Sequence, residues 1–277
     1  MENVGMIGVG AMGSALLERL KLAGVQATVY DSHPPSLEAA RGLGANIAPS
    51  AAAVARASTI VDVVVRTDEE VLDCVTGRNG LLEGARPDTL VLLHSTILPQ
   101  TTRKAAEEAR ERKVHVIDAC MLGVPRTVRE GNLTFLVGGS ADLVARARPH
   151  LLLMGREVRH MGPLGAGNVG KLIKNLVTGS ETLIVHEAVQ IGEAAGIPYR
   201  EVLEMLRETQ SGGTLLDRWQ KTFDPTGASS TPRVGHNVLQ KDIPLAANLG
   251  RKLGLDLPIT EQLAAVGQRL AKAKVAD

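Results

Sequence analysis

The sequence predicts an α/β fold, with a doubly wound and mostly parallel sheet followed by an all-α C-terminal domain. Up to about residue 160, short apolar runs of strand length alternate with segments of about ten residues that have helical character. This alternation is typical of parallel strands joined by helices. Beyond about residue 163 the β pattern disappears, and long apolar segments with helical spacing take its place.

The strands are the short apolar runs, each bounded by turn residues or by a helix. We place them at residues 3–8, 26–30, 59–65, 89–94, 114–118, 133–138 and 157–160. The clearest helices between them cover residues 11–23 and 99–112. These elements predict a first domain over residues 1–162.

The second predicted domain, residues 163–277, begins with a long apolar helix over about residues 167–195 that connects the two domains. Further helices are expected to begin at Pro198, near Thr214, near Val234 and after Leu257, with a loop over residues 224–233. Proline is favoured in the first turn of a helix, which supports two of these starts. We expect this domain to mediate dimerisation or a higher assembly, because apolar helices such as 167–195 need partners.

A glycine-rich turn follows the first predicted strand and leads into the first helix. It reads Gly8-Val-Gly10-Ala-Met-Gly13, and Asp31 closes the second strand roughly 20 positions on. In this pattern the glycines allow a tight turn, close approach of a pyrophosphate, and close packing of helix on strand, while the free amides of the helix hold the phosphates. The sequence therefore predicts a Rossmann-type dinucleotide-binding domain.

Asp31 also bears on which dinucleotide is bound. Its carboxylate would accept hydrogen bonds from the ribose hydroxyls and would repel a 2′-phosphate, which favours NAD over NADP. No arginine occurs at residues 32–35 to neutralise such a phosphate, although Arg41 and Arg66 could approach it.

The segment Gly165-Ala-Gly-Asn-Val-Gly-Lys171-Leu-Ile-Lys-Asn175 carries the candidate chemistry. Lys171 and Asn175 are four residues apart on a predicted helix, so both side chains can meet one small molecule. We interpret Gly165, Gly167 and Gly170 as positions that let a ligand lie close to the backbone. A partly desolvated lysine is suited to proton transfer near neutral pH. The alternative is a lysine that only extends to solvent from a core helix.

Composition excludes several other classes of protein. The chain has 31 basic and 30 acidic residues and a net charge of +1, so we expect no nucleic-acid or membrane partner. Its two cysteines, Cys74 and Cys120, show no metal-ligand spacing, and we expect no metal. The first strand begins almost at once and no apolar run is long enough to span a bilayer, so we expect a cytoplasmic protein without a signal peptide.

Five segments together resemble the β-hydroxyacid dehydrogenase family over essentially the whole length. The matching segments are Gly8-Val-Gly10-Ala-Met-Gly13, His94-Ser95-Thr96-Ile-Leu-Pro99, Asp118-Ala-Cys-Met-Leu-Gly123-Val, Gly165-x-Gly-x-x-x-Lys171-x-x-x-Asn175 and Lys241-Asp242-Ile-Pro-Leu-Ala. The resemblance implies an NAD-dependent oxidoreductase that acts on a β-hydroxy acid or the matching semialdehyde, assembled as a homodimer or homotetramer.

The resemblance also implies roles for individual residues. Lys171 would be the general acid and base, and Asn175 would hold the substrate. The cofactor would contact Gly8, Gly10, Ala11, Met12, Gly13, Asp31, Val65, Arg66, Thr96 and Lys241. The substrate would contact Ser95, Leu122, Gly123, Lys171, Asn175 and Lys241. Asp242 is expected to cap the helix that follows it, with Pro244 in that helix's first turn.

The chain departs from the family pattern in the predicted substrate wall. Leu122 stands in place of a serine, Val124 in place of a glycine, and Cys120 in place of a proline. A carboxylate would lose hydrogen bonds at this wall, which indicates a bulkier substrate or an anion held elsewhere, with Arg126 and Arg129 as candidates. An imine reductase and a non-catalytic dinucleotide sensor are the competing interpretations, and in both kinds of relative the lysine is usually replaced.

Overall fold

The computed structural model describes residues 2–208 and 238–273. The chain divides into two compact units, Met1–Lys171 and Leu172–Asp277. The boundary that the sequence places after residue 162 stays a prediction. The helices expected near Thr214 and Val234, and the loop over residues 224–233, lie outside the described residues.

The first unit is built on one sheet whose order is β3-β2-β1-β4-β5-β6-β7-β8. Its strands are β1 Val4–Ile7, β2 Thr28–Tyr30, β3 Asn46–Ile47, β4 Ile60–Val63, β5 Leu90–Leu93, β6 His115–Leu122, β7 Thr134–Gly138 and β8 Glu157–Gly162. Every neighbouring pair is parallel except β6 and β7, which are antiparallel. The predicted doubly wound, mostly parallel sheet is confirmed. The prediction missed β3 and ended β6 too early, at residue 118.

Helices cover both faces of this sheet. They are α1 Ala11–Leu22, α2 Pro34–Gly42, α3 Ala51–Ala57, α4 Asp68–Thr76, α5 Leu81–Gly84, α6 Pro99–Glu111, α7 Pro125–Arg129 and α8 Ala141–Met154. Successive strand residues point to opposite faces, so Met6 and Leu92 join one apolar core while Ile7 and Leu93 join the other. Because both faces are covered, β1, β4 and β5 are buried at every position.

The long helix α9 spans Ala166–Ala194 and crosses the division between the units, as the sequence predicts for residues 167–195. The second unit continues with α10 Tyr199–Glu208, a π-helical turn Val238–Asp242, α11 Ile243–Lys252 and α12 Pro258–Ala273. The predicted starts at Pro198 and after Leu257 are confirmed. None of the helices in residues 2–208 and 238–273 is long and apolar enough to cross a membrane.

Candidate active site

The turn between β1 and α1 has the geometry of a pyrophosphate site. Gly8 has a φ of +90°, and a Cβ there would overlap the carbonyl oxygen of Val64. A Cβ at Gly13 would overlap the carbonyl oxygen of Gly8. At Gly10, by contrast, a Cβ would meet no described atom within 4 Å, and no described side chain caps the start of α1. The helix start is therefore open, and its free N–H groups suit a phosphate anion.

Asp31 follows β2 and is braced beside this turn. Its Oδ2 accepts a hydrogen bond of 2.7 Å from the Val9 N–H, and its Oδ1 accepts one of 2.8 Å from the His33 N–H. Each carboxylate oxygen can accept a further bond, so the group retains capacity for ribose hydroxyls. The turn, the open helix start and Asp31 fit a dinucleotide.

Val65 and Arg66 follow β4, and their side chains have different surroundings. The Cγ1 of Val65 is 3.3 Å from the position of a Cβ on Gly8, so Val65 borders the turn. The Arg66 side chain is exposed, and its Nη2 lies 2.7 Å from Oε1 of Glu70. This hydrogen bond raises the pKa of the Arg66 guanidinium.

The start of α9 is closed by a carboxylate of the protein itself. Asp118 lies within β6 and is fully buried. Its Oδ1 accepts from the Gly165 N–H at 2.7 Å, and its Oδ2 accepts from the Asn168 N–H at 2.8 Å. Burial raises the pKa of Asp118, although these N–H groups oppose the rise. Asp118 therefore occupies the place that an anionic ligand would take at an open helix start.

The glycines of this segment serve packing, which corrects our interpretation that they let a ligand approach. A Cβ at Gly167 would overlap the carbonyl oxygen of Leu136 and would lie 2.7 Å from Oδ2 of Asp118. A Cβ at Gly170 would lie 3.2 Å from Cδ1 of Leu136. The missing side chains thus allow the first turns of α9 to lie directly on β7 and on Asp118.

Lys171 lies at the end of the first unit and is only partly buried. Its Nζ donates a hydrogen bond of 2.6 Å to the carbonyl oxygen of Met121, near the end of β6. The lysine is therefore not a side chain that merely extends into solvent. Its amine is held at the segment where the sequence predicts the substrate wall.

Four of the other predicted substrate and nicotinamide residues, Ser95, Thr96, Leu122 and Gly123, lie at the ends of β5 and β6. Ser95 is buried, and its hydroxyl donates to the carbonyl oxygen of Val65 at 2.7 Å. Thr96 and Leu122 are partly buried, and Gly123 is exposed. The side chain of Leu122 leaves this wall without the hydroxyl that the family pattern would place there.

Two arginines near this wall form surface ion pairs. Arg126 Nε lies 2.7 Å from Oε1 of Glu130, and Arg129 Nε lies 2.8 Å from Oε2 of Glu18. Neither pairing favours a role in holding a substrate anion.

In the second unit, Asn175 and Lys241 belong to one polar cluster around Asp242. Asn175 Nδ2 donates to Asp242 Oδ2 at 2.7 Å, and Asn175 Oδ1 accepts from Lys174 Nζ at 3.2 Å. Lys241 Nζ lies 2.8 Å from Asp242 Oδ1. Asp242 occupies the N-cap position of α11, but its side chain makes no capping bond, so that expectation is wrong. The carboxylate instead holds the amide of Asn175 and the ammonium of Lys241.

No local sequence pattern predicts two of these arrangements. The closure of α9 by Asp118 and the Asn175–Asp242 bond each join residues far apart in the chain. Among residues 2–208 and 238–273, no group of three His, Cys, Asp or Glu side chains is placed to hold a metal ion.

Comparisons with known proteins match both parts of the chain. A family model described as the NAD binding domain of 6-phosphogluconate dehydrogenase matches residues 3–162. A second, described as NAD-binding of NADP-dependent 3-hydroxyisobutyrate dehydrogenase, matches residues 165–277.

Individual proteins that resemble this chain over most of its length are also dehydrogenases. The chain is 30% identical to an NAD-dependent L-serine dehydrogenase of Pseudomonas aeruginosa, over 94% of this chain and 89% of the relative. It is 31% identical to a 3-hydroxyisobutyrate dehydrogenase of the same organism, over 89% of this chain and 84% of the relative. The solved structure of Mycobacterium tuberculosis 3-hydroxyisobutyrate dehydrogenase with L-serine has the same fold, with a TM-score of 0.81 at 24% identity, covering 98% of this chain and 94% of the other.

The sheet, the open start of α1 and these matches define an NAD(P)-dependent oxidoreductase that acts on CH–OH groups. The chain belongs to the β-hydroxyacid dehydrogenase family.

Proposed function

We propose that this protein transfers a hydride between NAD and a β-hydroxy acid or the corresponding semialdehyde, with Lys171 as the general acid and base. The observation that carries the proposal is the position of the Lys171 amine, 2.6 Å from the Met121 carbonyl at the end of β6. Met121 belongs to the segment in which we predict the substrate wall, and it lies in the unit that carries the dinucleotide turn, which supports the proposal.

The chemistry assigned to these residues is proton transfer and orientation. The nicotinamide, when bound, supplies the hydride acceptor or donor. In the oxidation direction neutral Lys171 takes the hydroxyl proton of the substrate, and in carbonyl reduction the ammonium returns it. Asn175 orients the substrate, since its amide both donates and accepts. Lys241 contributes positive charge for an anionic substrate group and for the cofactor.

NAD is proposed as the preferred cofactor because Asp31 would repel a 2′-phosphate. The glycines of the β1–α1 turn with Ala11 and Met12 would hold the pyrophosphate, and Val65, Arg66 and Thr96 would border the remainder. The Arg66 guanidinium is paired with Glu70, so a 2′-phosphate would have to displace this carboxylate in order to bind it.

The test is an initial-rate assay of NAD⁺ reduction at mildly alkaline pH. Wild type and Lys171→Ala are compared on a panel of β-hydroxy acids, including L-serine and 3-hydroxyisobutyrate, and on bulkier alcohols, with NADP⁺ in parallel. Turnover that prefers NAD⁺ and is lost in Lys171→Ala supports the proposal. Turnover that survives in Lys171→Ala contradicts the role of Lys171 as general acid and base. Turnover that requires NADP⁺ contradicts the preference for NAD.

Leu122 favours a second candidate, reduction of a bulkier and less polar substrate such as a cyclic imine. An apolar branch in place of a hydroxyl removes a hydrogen bond to a carboxylate and adds apolar contact area. NADH-dependent reduction of cyclic imines, with no turnover of any hydroxy acid, would select this candidate. A dinucleotide sensor would bind NADH and turn over neither class.

We also propose a homodimer or homotetramer. Four apolar side chains of α9 in the second unit, Ile173, Val177, Ile184 and Ile191, are exposed and are spaced by about one or two helical turns. A repeated apolar face of this kind is typical of an interface between subunits. Light scattering measures the mass directly, and a monomer at micromolar concentration contradicts the assembly.

A further inference from the structure

Asn168, in the first turn of α9, connects three elements of the first unit. Its side chain is completely buried. Its Oδ1 accepts a hydrogen bond of 2.7 Å from the hydroxyl of Thr102 on α6. Its Nδ2 donates to the carbonyl oxygen of Ser95, after β5, at 3.3 Å and to Sγ of Cys120, in β6, at 3.2 Å.

These contacts require a group that accepts on one side and donates on the other. A carboxylate at residue 168 could still accept from Thr102, but it would face the Ser95 carbonyl without a proton to donate. A leucine of similar size could do neither, and would leave the buried Ser95 and Thr102 groups without their partner. The side-chain amide is therefore matched to its surroundings.

Asn168 also lies one turn before Lys171 on the same helix. Its backbone N–H is bound by Asp118 Oδ2, so both the main chain and the side chain of Asn168 are fixed to the sheet. Lys171 in turn contacts β6 through the carbonyl of Met121. The turn that carries the lysine is thus tied to the ends of β5 and β6, which carry Ser95 and Leu122.

We propose that Asn168 is a positioning residue that sets the Lys171 amine in register with the ends of β5 and β6. This proposal rests on the proposed function, because it matters only if Lys171 transfers a proton. It concerns the alignment of the reacting groups, since Asn168 itself is buried and touches no reactant. A displacement of about 1 Å in such a group can lower a rate by roughly 100-fold.

The experiment compares wild type with Asn168→Asp, Asn168→Leu and Thr102→Val on the best substrate of the panel. Ser58→Ala serves as the matched control, because Ser58 is also buried in the first unit and its hydroxyl donates to the Val54 carbonyl at 2.7 Å, in α3. For each variant, kcat, KM, the Kd of NADH and Tm are measured, with Lys171→Ala alongside.

We expect kcat to fall about 10- to 100-fold in both Asn168 variants, with KM and the Kd of NADH within about twofold of wild type. Thr102→Val, which removes one of the bonds, is expected to give a smaller fall in kcat. Ser58→Ala is expected to lower Tm without changing kcat.

A kcat within twofold of wild type in Asn168→Leu would overturn the proposal. So would a rise in KM or in the NADH Kd as large as the fall in kcat, since that pattern indicates general disruption of the site. If Asn168→Leu does not fold, the same criterion is applied to kcat of Asn168→Asp, and Thr102→Val provides a milder second test. Failure of the proposed function can be distinguished from failure of the positioning role. The proposed function fails if the wild type shows no turnover or if Lys171→Ala is fully active. In either case the positioning role of Asn168 fails with it.

Discussion

The first unit contains two glycine-rich helix starts, and they are used in opposite ways. At α1 the start is open: a Cβ on Gly10 would meet no described atom within 4 Å, and no described side chain caps the helix. At α9 the start is closed: the carboxylate of Asp118 accepts from the N–H groups of Gly165 and Asn168. Gly167 at α9 makes room for this internal anion, since a Cβ there would lie 2.7 Å from Oδ2 of Asp118.

The difference shows that glycine content does not by itself identify an anion site. A helix start attracts negative charge in either case. Whether that charge belongs to a ligand or to the protein depends on a residue distant in the sequence. Here the open start fits the pyrophosphate, and the closed start fixes the turn that carries Lys171.

The largest effect expected from the comparison is that of Asp118→Ala. The variant leaves two buried N–H groups without an acceptor, so we expect the free energy of unfolding to fall by about 3 kcal/mol and kcat to fall with it. The Kd of NADH should stay within about twofold of wild type, because the start of α1 is untouched.

Urea unfolding and NADH fluorescence measure these quantities, and Asp142→Ala, an exposed aspartate in the first turn of α8, is the control. A stability equal to that of the control would show that Asp118 does not close α9.

A second pair of variants tests the open start. Gly13→Ala places a methyl group against the Gly8 carbonyl oxygen, and we expect a loss of about 2–3 kcal/mol in stability. Gly10→Ala places the same group in open space, so stability should change by less than about 0.5 kcal/mol. The affinity for NADH should nevertheless fall in Gly10→Ala. If NADH binds Gly10→Ala as tightly as wild type, the pyrophosphate does not approach this residue.

Local patterns in the sequence predicted the sheet, the open start of α1 and the placement of Lys171 on the long helix. They could not predict β3, because two residues, Asn46 and Ile47, are too few to show alternation. Nor could they predict that Asp242 binds Asn175 instead of capping α11. Both carboxylate contacts, at Asp118 and at Asp242, depend on tertiary structure, which brings distant residues together.

A smaller effect concerns a buried carboxylate that is paired with histidine side chains. Buried Asp62 lies 2.8 Å from Nε2 of both His94 and His150, whereas Asp118 is balanced by backbone amides. Burial alone would lower the pKa of His150, but the charge of Asp62 and the hydrogen bond to it outweigh burial and raise that pKa. Since the folded pKa is raised, this stabilisation is complete below about pH 6.5 and is lost as the pH rises through the folded pKa.

The free energy of unfolding should therefore decrease as the pH rises above about 6.5. At pH 6 the free energy of unfolding of His150→Gln should be about 1–3 kcal/mol lower than that of wild type. This free energy should also depend less on pH in the variant. His33→Gln, at an exposed site, is the control. An unchanged pH slope in His150→Gln would assign the titration to another group.

The most direct test of the central claim is chemical rescue of Lys171→Ala. With NAD⁺ and the best hydroxy acid, we predict a loss of roughly 10²- to 10⁴-fold in kcat with little change in the Kd of NADH. Added methylamine or ethylamine should then restore part of the turnover, because a free primary amine can replace the missing proton acceptor. Wild-type turnover in Lys171→Ala without added amine would contradict the assignment of Lys171 as the general acid and base.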